Sequence, residues 1–583
     1  MKMVSKKISA IYTGSLILIS CIISTILIAL LLIRYDQLIP WITVEINKPE
    51  IASLLREKAL TFEKFHDLQK LSLTGLFLLP PLFYLFHKFR GLLLNSILLI
   101  SGSIRKAFAG VIAACRAHSK RERIIFLTVL FLIFLRSLGY IIFWDLQYDE
   151  MWAYNYFTAS PFYFSFFMYS NYPLYEISTH LFKWLPFPEK INIRLPVLIM
   201  GLMSAALLYS CLFRLFKKQL PALAGMVLFA CMPPVTTYMI LGRGVVFELF
   251  FAIAAVFSLL EWLRYPEQKD KLIIYILANI LGMYSMPTHL YYWVCLLFLA
   301  FTVNRSGKIV LRKFFLANLW IIPGVFLCYL PILLGSGISF LGEAITGGIG
   351  TFRSTWQKLP LVMNGISDFI TGFDWGLTIL ILVCILLILF RKHFARSYPL
   401  IAFSLIICVL PGLLFIIQRF YVPVRTVAFI CLSIPLIVSV LIHELQFAGK
   451  PALYVFVLLA GLFAAGVSHL NGAINWSRKL DRQVKELSQF FLDKGISTCY
   501  DNSPGSHFFY YYPGIEYYFR QSGRTIRLTI SDSRSLRYKA FSGSDHYDCI
   551  ISLKDSLHSG QKEDYNVIYS RTGEDFEVLE KQR

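Results

Sequence analysis

Residues 124–150 read IIFLTVLFLIFLRSLGYIIFWDLQYDE, an apolar run of about 21 residues that ends at Trp144 and passes directly into Asp145, Asp149 and Glu150. A helix of that length crosses the ~30 Å hydrocarbon core of a bilayer. Three carboxylates just beyond its end, followed by the aromatic stretch MWAYNYF, point to a surface that handles something polar. The plainer alternative is a solvated loop with interfacial Trp and Tyr anchors. Arg136 lies inside the span, about two turns before Asp145. An Arg at mid-bilayer costs roughly 2.5–3.5 kcal/mol on insertion scales, so it should face the protein interior or a wet cavity, unless it snorkels outward.

Working outward, further apolar runs lie near 9–33, 71–86, 193–213, 220–239, 245–263, 272–287, 289–303, 314–334, 376–390, 398–417, 426–442 and 452–470, which gives about 13 spans. The first follows MKMVSKK and is too long for a signal-peptide core, so it reads as an uncleaved anchor. Residues 91–104 are too short to cross comfortably, and the basic stretch after them suits an interfacial helix. From about residue 476 the pattern changes. VKELSQFFLDKG reads as a helix, and STCYD, RTIRLTI, DCIISLK and NVIYS read as short strands. The expected architecture is an α-helical multi-pass membrane protein with a small C-terminal α/β domain. Its parts are an N-terminal two-span anchor with a basic cytoplasmic segment (1–123), a transmembrane module (124–475) and an extracytoplasmic domain (476–583).

Composition agrees. Of 583 residues, 57% are apolar and 16% charged, against about 45–50% and about 25% in soluble domains. This excludes a single soluble globule, a disordered chain and a collagen-like one. The net charge of +21 is chiefly a topology signal: about 25 Lys and Arg fall in the loops of one side and about 14 on the other, while the tail carries 16 basic against 15 acidic residues. The basic side is cytoplasmic by the positive-inside rule. The N-terminus is then cytoplasmic, the loops 145–192 and 335–375 and the tail face outward, and nucleic-acid binding has no support. Of the 11 cysteines, only Cys499 and Cys549 lie in the tail, where two buried thiols are favoured over a disulfide. No CxxC, Walker loop, GxGxxG after a strand, HExxH or GxSxG occurs.

Several weak motifs stand in a telling order: Leu135-Arg136, Trp144, Asp149-Glu150, Pro173-Leu174-Tyr175 and Arg194-Leu195-Pro196, then MPPVTTYMILGR ending at Arg243, MYSMPTHLYYW with His289, and QRFYVPVR from Gln418 to Arg425. Over residues 124–470 this order resembles the GT-C superfamily of membrane glycosyltransferases, in particular the protein O-mannosyltransferase and aminoarabinose-transferase type. The resemblance implies transfer of a sugar from a polyprenyl-phosphate carrier to a glycan, lipid or protein acceptor on the outer face of the plasma (inner) membrane. It implies Asp149 as the catalytic carboxylate and Glu150 as its support in placing substrate. Where the family often carries His-Pro-Pro, this chain has Asn171-Tyr172-Pro173, and Leu241 and Val245 stand where an acidic residue and a Tyr often flank the Arg.

The chemistry fits those residue types. An acceptor hydroxyl attacking an anomeric carbon needs a base, and a positioned carboxylate contributes about 10²–10⁴-fold. One base serves an inverting reaction; a retaining one needs a second carboxylate, for which Asp145 or Glu150 is the thinner candidate. A departing lipid phosphate needs cations, and guanidinium suits its geometry. Arg243 and Arg419 are the leading ligands, Arg136, Arg194 and Arg425 are further ones, and His289 is weaker. Loop charge or helix capping is the plain reading of each. Glu248 is expected to pair with Arg243, and Glu176, His180 and Lys183 to line a solvated helix face. No cofactor is expected and no metal cluster is visible, though one carboxylate-bound cation is compatible with the sequence. The rival class is a transporter or flippase of a lipid-linked or polar substrate, which usually shows internal repeats; none is found.

Overall fold

The computed structural model describes residues 2–38, 62–116, 118–303, 308–336, 352–390, 394, 397–419, 422–444, 482–501, 511–530, 547–553, 565–570 and 576–581. The protein is an α-helical multi-pass membrane protein with a small C-terminal domain that contains β-strands. Among the described residues, seven helices are long and apolar enough to cross a membrane: Thr13–Leu32, Lys120–Phe143, Glu189–Phe216, Val245–Arg264, Val310–Leu334, Tyr398–Gln418 and Val424–Glu444. The pair Arg353–Thr371 and Gly376–Leu389, bent by 85°, makes an eighth if it is one span. The count of about 13 from sequence also includes shorter apolar helices, such as Gln219–Cys231 and His289–Val303. The run 452–470 lies outside the described residues.

The chain packs as two units, Met1–Lys106 with Thr529–Gly543, and Ala107–Leu528 with Ser544–Arg583. In the first, α1 (Lys2–Leu32) runs against α2 (Phe62–Lys88). The Gln69 amide donates to the carbonyls of Leu30 and Ile33, each at 3.2 Å, and so closes the orphan end of α1. The interfacial stretch expected at 91–104 belongs to a longer helix, α3 (Arg90–Arg116).

The second unit begins with α4 (Lys120–Phe143). Ser119 and Glu122 form a capping box at its start, with backbone-to-side-chain bonds of 2.8 and 3.2 Å. It leads through Trp144 to the short α5 (Tyr148–Ala153), which continues as a π-turn over Tyr154–Thr158. Then follow α6 (Pro173–Phe182), α7 (Leu195–Phe216), α8 (Gln219–Cys231), α9 (Val245–Arg264), α10 (Lys269–Ser285) and α11 (His289–Val303). Their shared core is apolar and closed to solvent, with Leu208, Leu212, Phe229, Ala252, Val256, Tyr292, Phe403 and Phe429 at 0% exposure. Small residues let the helices approach. A Cβ on Gly225 would lie 2.4 Å from the Leu212 side chain and 2.5 Å from that of Ser439.

The C-terminal domain carries β1 (Thr498–Asp501), β2 (Arg527–Ile530), β3 (Cys549–Leu553), β4 (Tyr565–Ser570) and β5 (Phe576–Lys581) in one sheet of order β2-β1-β3-β5-β4. β1 and β3 are parallel, whereas β5 is antiparallel to both β3 and β4. A helix over 482–494 and α12 (Tyr512–Gln521) accompany the sheet. Four strands stand where the sequence predicts them. The fifth, FEVLEK, was not anticipated, although Phe576, Glu577 and Val578 alternate as a strand should. The Asp548 carboxylate accepts from the Ser497 backbone (2.7 Å) and hydroxyl (2.8 Å) and from the Thr498 backbone (2.8 Å). Partial burial pushes its pKa up, but these bonds outweigh that and hold it below the usual Asp value.

Candidate active site

Glu150 and Arg194 form the rigid floor of the acidic loop. The Glu150 carboxylate accepts from Arg194 Nε at 2.7 Å and Nη2 at 2.6 Å, from the Gly242 backbone at 2.7 Å and from the Gln147 backbone at 2.9 Å. Arg194 also donates to the carbonyls of Ile141 (3.3 Å), Trp144 and Asp145 (2.8 Å). All five N–H donors of the guanidinium are therefore used. Both side chains are 0% exposed. One Arg thus ties the last carbonyls of α4 to the first turn of α5. A bidentate buried pair with every lone pair occupied is the favourable form of such an interaction.

Asp149 is the next residue back and differs in each respect. Its carboxylate pairs with Arg243, and the two side chains are 29% and 12% exposed. Arg425, at the start of the 3-10 helix Val424–Leu432, lies close enough to Arg243 for the two like charges to repel. Arg425 also hydrogen-bonds Tyr172 and neighbours Tyr238, while Tyr148 neighbours Arg243. Arg243 thus pairs with one carboxylate and neighbours a second guanidinium at a partly open edge. The Arg243 Nε is buried with no hydrogen-bond partner among the described residues.

Gly242 is required where the Arg243 turn meets the floor. A Cβ there would lie 2.4 Å from the Tyr175 hydroxyl and 3.2 Å from Glu150 Oε1. The Tyr175 hydroxyl in turn donates to the Ile193 carbonyl at 3.0 Å. The turns before α7 and before α9 are thereby locked to α6 and to the acidic loop.

The other sequence candidates lie elsewhere. Arg194, expected to meet phosphate, has no donor left for it. Arg136 is buried in α4 with Cys231 and Tyr140 as neighbours. His289 is 0% exposed and faces Glu248, Nδ1 to Oε1 at 3.6 Å. Glu248 therefore turns toward His289, while Arg243, the partner expected for it, pairs with Asp149. Arg419 is exposed at the C-terminal end of the helix Tyr398–Gln418, in left-handed backbone (φ 56°). Asp145 sits beside Lys485 (3.2 Å) and Lys190 (3.7 Å).

Two of the three residues expected on a solvated face at α6 are buried instead. Glu176 and His180 are 1% and 5% exposed, one turn apart on the inward side, and only Lys183 remains outside. Burial drives the Glu176 carboxyl well above its usual range, with a hydrogen bond from Ser170 pulling the other way. Burial and Lys183 push the His180 imidazole down to about 4. The ring is neutral at physiological pH and hydrogen-bonds Ser165 at 3.0 Å.

The tail is part of the site's support, which the sequence did not reveal. Asn155 donates to the Pro513 carbonyl at 2.9 Å in a buried contact. Tyr154 packs edge-on against Tyr517, with ring centroids 5.7 Å apart. Glu189 accepts from Tyr154 and, at 2.7 Å, from Gln521. α12 thus docks on the π-turn that follows Asp149.

No family model and no curated protein sequence matches the chain. Solved structures do. The crystal structure of ArnT from Cupriavidus metallidurans bound to undecaprenyl phosphate aligns with a TM-score of 0.53 at 10% identity, covering 79% of this chain and 98% of that one. The apo structure of the same protein aligns at 0.54 and 11% identity, covering 78% and 97%. The likeness extends over nearly all of ArnT and shows that the two proteins share a fold.

Proposed function

We propose that this protein is a GT-C-type membrane glycosyltransferase that takes a sugar from a polyprenyl-phosphate carrier and transfers it to an acceptor hydroxyl. The observation that carries this is the half-open Asp149–Arg243 pair, with Arg425 beside Arg243, next to the sealed Glu150–Arg194 pair. One negative charge against two positive charges leaves the site short of an anion, and a lipid phosphate supplies it. The shared fold with ArnT, whose crystal structure holds undecaprenyl phosphate, supports the same substrate class.

In this mechanism Arg243 turns from Asp149 to the donor phosphate, beside Arg425. Asp149 is then free to accept a proton. The acceptor oxygen attacks the anomeric carbon and its proton passes to the carboxylate. The bond from that carbon to the phosphate oxygen breaks, and the electron pair leaves with the lipid phosphate, where the two guanidiniums stabilise the developing charge. Glu150 acts as a positioning residue, since its lone pairs are already engaged. With Asp145 beside two lysines, a second nucleophilic carboxylate is lacking in this arrangement, which favours inversion. The site and the tail face outward, and the basic loops face the cytoplasm.

The test is a screen of purified protein in lipid against defined polyprenyl-phosphate sugars, reading the released lipid phosphate. Turnover with one donor class is the expected result. Failure with every donor, together with substrate movement across vesicles, would shift the assignment to a transporter or flippase.

A further inference from the structure

The parallel register of β1 and β3 sets Cys499 directly opposite Cys549. Adjacent strands lie about 4.7–4.9 Å apart, within the 4.4–6.8 Å of Cα separation over which disulfides form. The two Sγ atoms are 2.7 Å apart, and a small rotation about each Cα–Cβ bond closes that to the ~2.05 Å of a bonded pair. Both residues are buried, at 0% and 1% exposure. They are the only sulfur-bearing residues in 476–583, and the fold brings them face to face across 50 positions of sequence.

We infer that Cys499 and Cys549 are joined by a disulfide in the mature protein. The inference rests on the outward-facing tail proposed above, because such bonds persist outside the reducing cytoplasm. Formation follows thiol–disulfide exchange with a disulfide-bearing oxidant, either an oxidoreductase or a small-molecule disulfide. One cysteine thiolate attacks the donor disulfide and expels a donor thiol, which leaves a mixed disulfide. The second thiolate attacks the protein sulfur of that intermediate and expels the other donor thiol. The cysteines give up two protons and two electrons, and the donor disulfide ends as two thiols. Exchange belongs to folding, before the sheet closes over both sulfurs.

The bond has a consequence for the site. It closes the stretch 499–549 into a ring, and that ring contains α12, the helix docked on the loop after Asp149. The cross-link restricts the unfolded excursions of the segment that braces the acidic loop.

Full-length protein, denatured from intact membranes into N-ethylmaleimide before any reductant, is digested and mapped by mass spectrometry. The expected result is a linked peptide pair containing Cys499 and Cys549, two hydrogens lighter than the separate peptides. Protease added to intact cells reports which side holds the tail. Alkylated thiols at both positions in an outward tail would overturn the disulfide alone; alkylated thiols in an inward tail would overturn the disulfide and the topology together. A second measurement follows tail proteolysis in detergent. Reductant should speed cleavage of the wild type several-fold and leave the C499S/C549S double variant unchanged. Equal acceleration of both would show that the ring is not what protects the tail.

Discussion

Asp149 and Glu150 are consecutive carboxylates with an Arg apiece, yet they are held in opposite ways. The Glu150–Arg194 pair is sealed and saturated: four donors reach the carboxylate, and every N–H of the guanidinium is spent. The Asp149–Arg243 pair is partly exposed and lies next to a second Arg. Within one turn of helix, the first kind of ion pair fixes a backbone and the second, in the proposed mechanism, keeps a charge in reserve. On the proposed mechanism, burial and the number of committed hydrogen bonds separate a positioning pair from a reacting one where residue type does not.

The largest effect expected from breaking this contrast is a split between activity and stability. Asp149→Asn should lower the transfer rate by about 10²–10⁴-fold and cost less thermal stability in detergent than loss of the sealed pair, because Asp149 and Arg243 are both partly exposed. Glu150→Gln should do the reverse in kind, because it leaves a buried guanidinium without its counter-charge. A cost of about 3–5 kcal/mol would show as a lowered melting temperature and poor yield in membranes. Equal loss of stability in both variants would erase the distinction.

A smaller effect comes from the reserve side. A charge-assisted hydrogen bond is worth about 1.5–3 kcal/mol, so Arg425→Ala should lower kcat/KM for the lipid donor by roughly 10–100-fold. Arg419→Ala, at an exposed helix end, should change it by less than about twofold; a larger loss there would redraw the site. Asn155→Ala removes one buried bond to Pro513 and should cost about 1–3 kcal/mol. It should loosen α12 and raise proteolysis of the tail before it alters donor affinity. The smallest effect concerns pH. Asp548 has a lowered pKa in the folded domain, so its contribution is fully present above the unfolded value near 3.8 and is lost as pH falls through the folded one. Asp548→Asn should flatten the acid limb of the tail's stability curve and leave the neutral region little changed beyond a constant offset.

Much of the membrane architecture was legible because bilayer length and side-chain polarity leave few choices for a run such as 124–144. The sequence also singles out the carboxylates after it, Arg243 in its short turn and Arg425, since polar residues at the ends of spans are few, and the structure pairs Asp149 with Arg243 and sets Arg425 beside it. What the sequence could not carry was orientation. Arg194 looks like a loop charge, and only packing shows that it caps α4 from within. Glu176 and His180 recur at a spacing that serves a wet face as well as a dry one, and the choice is made by the helices packed around them. Asn155 and Pro513 are 358 positions apart, and neither residue type announces a partner.

Arg194 joins the end of one span to the loop that carries the proposed base. The height of Asp149 above the lipid is therefore geared to the depth and tilt of that span, and a bilayer too thin or too thick for α4 should shift the carboxylate along with the helix. Membrane thickness then becomes a setting of the proposed transfer. Transfer rates measured in bilayers of graded acyl length should pass through an optimum, and a flat response would show the loop to be uncoupled from the span below it.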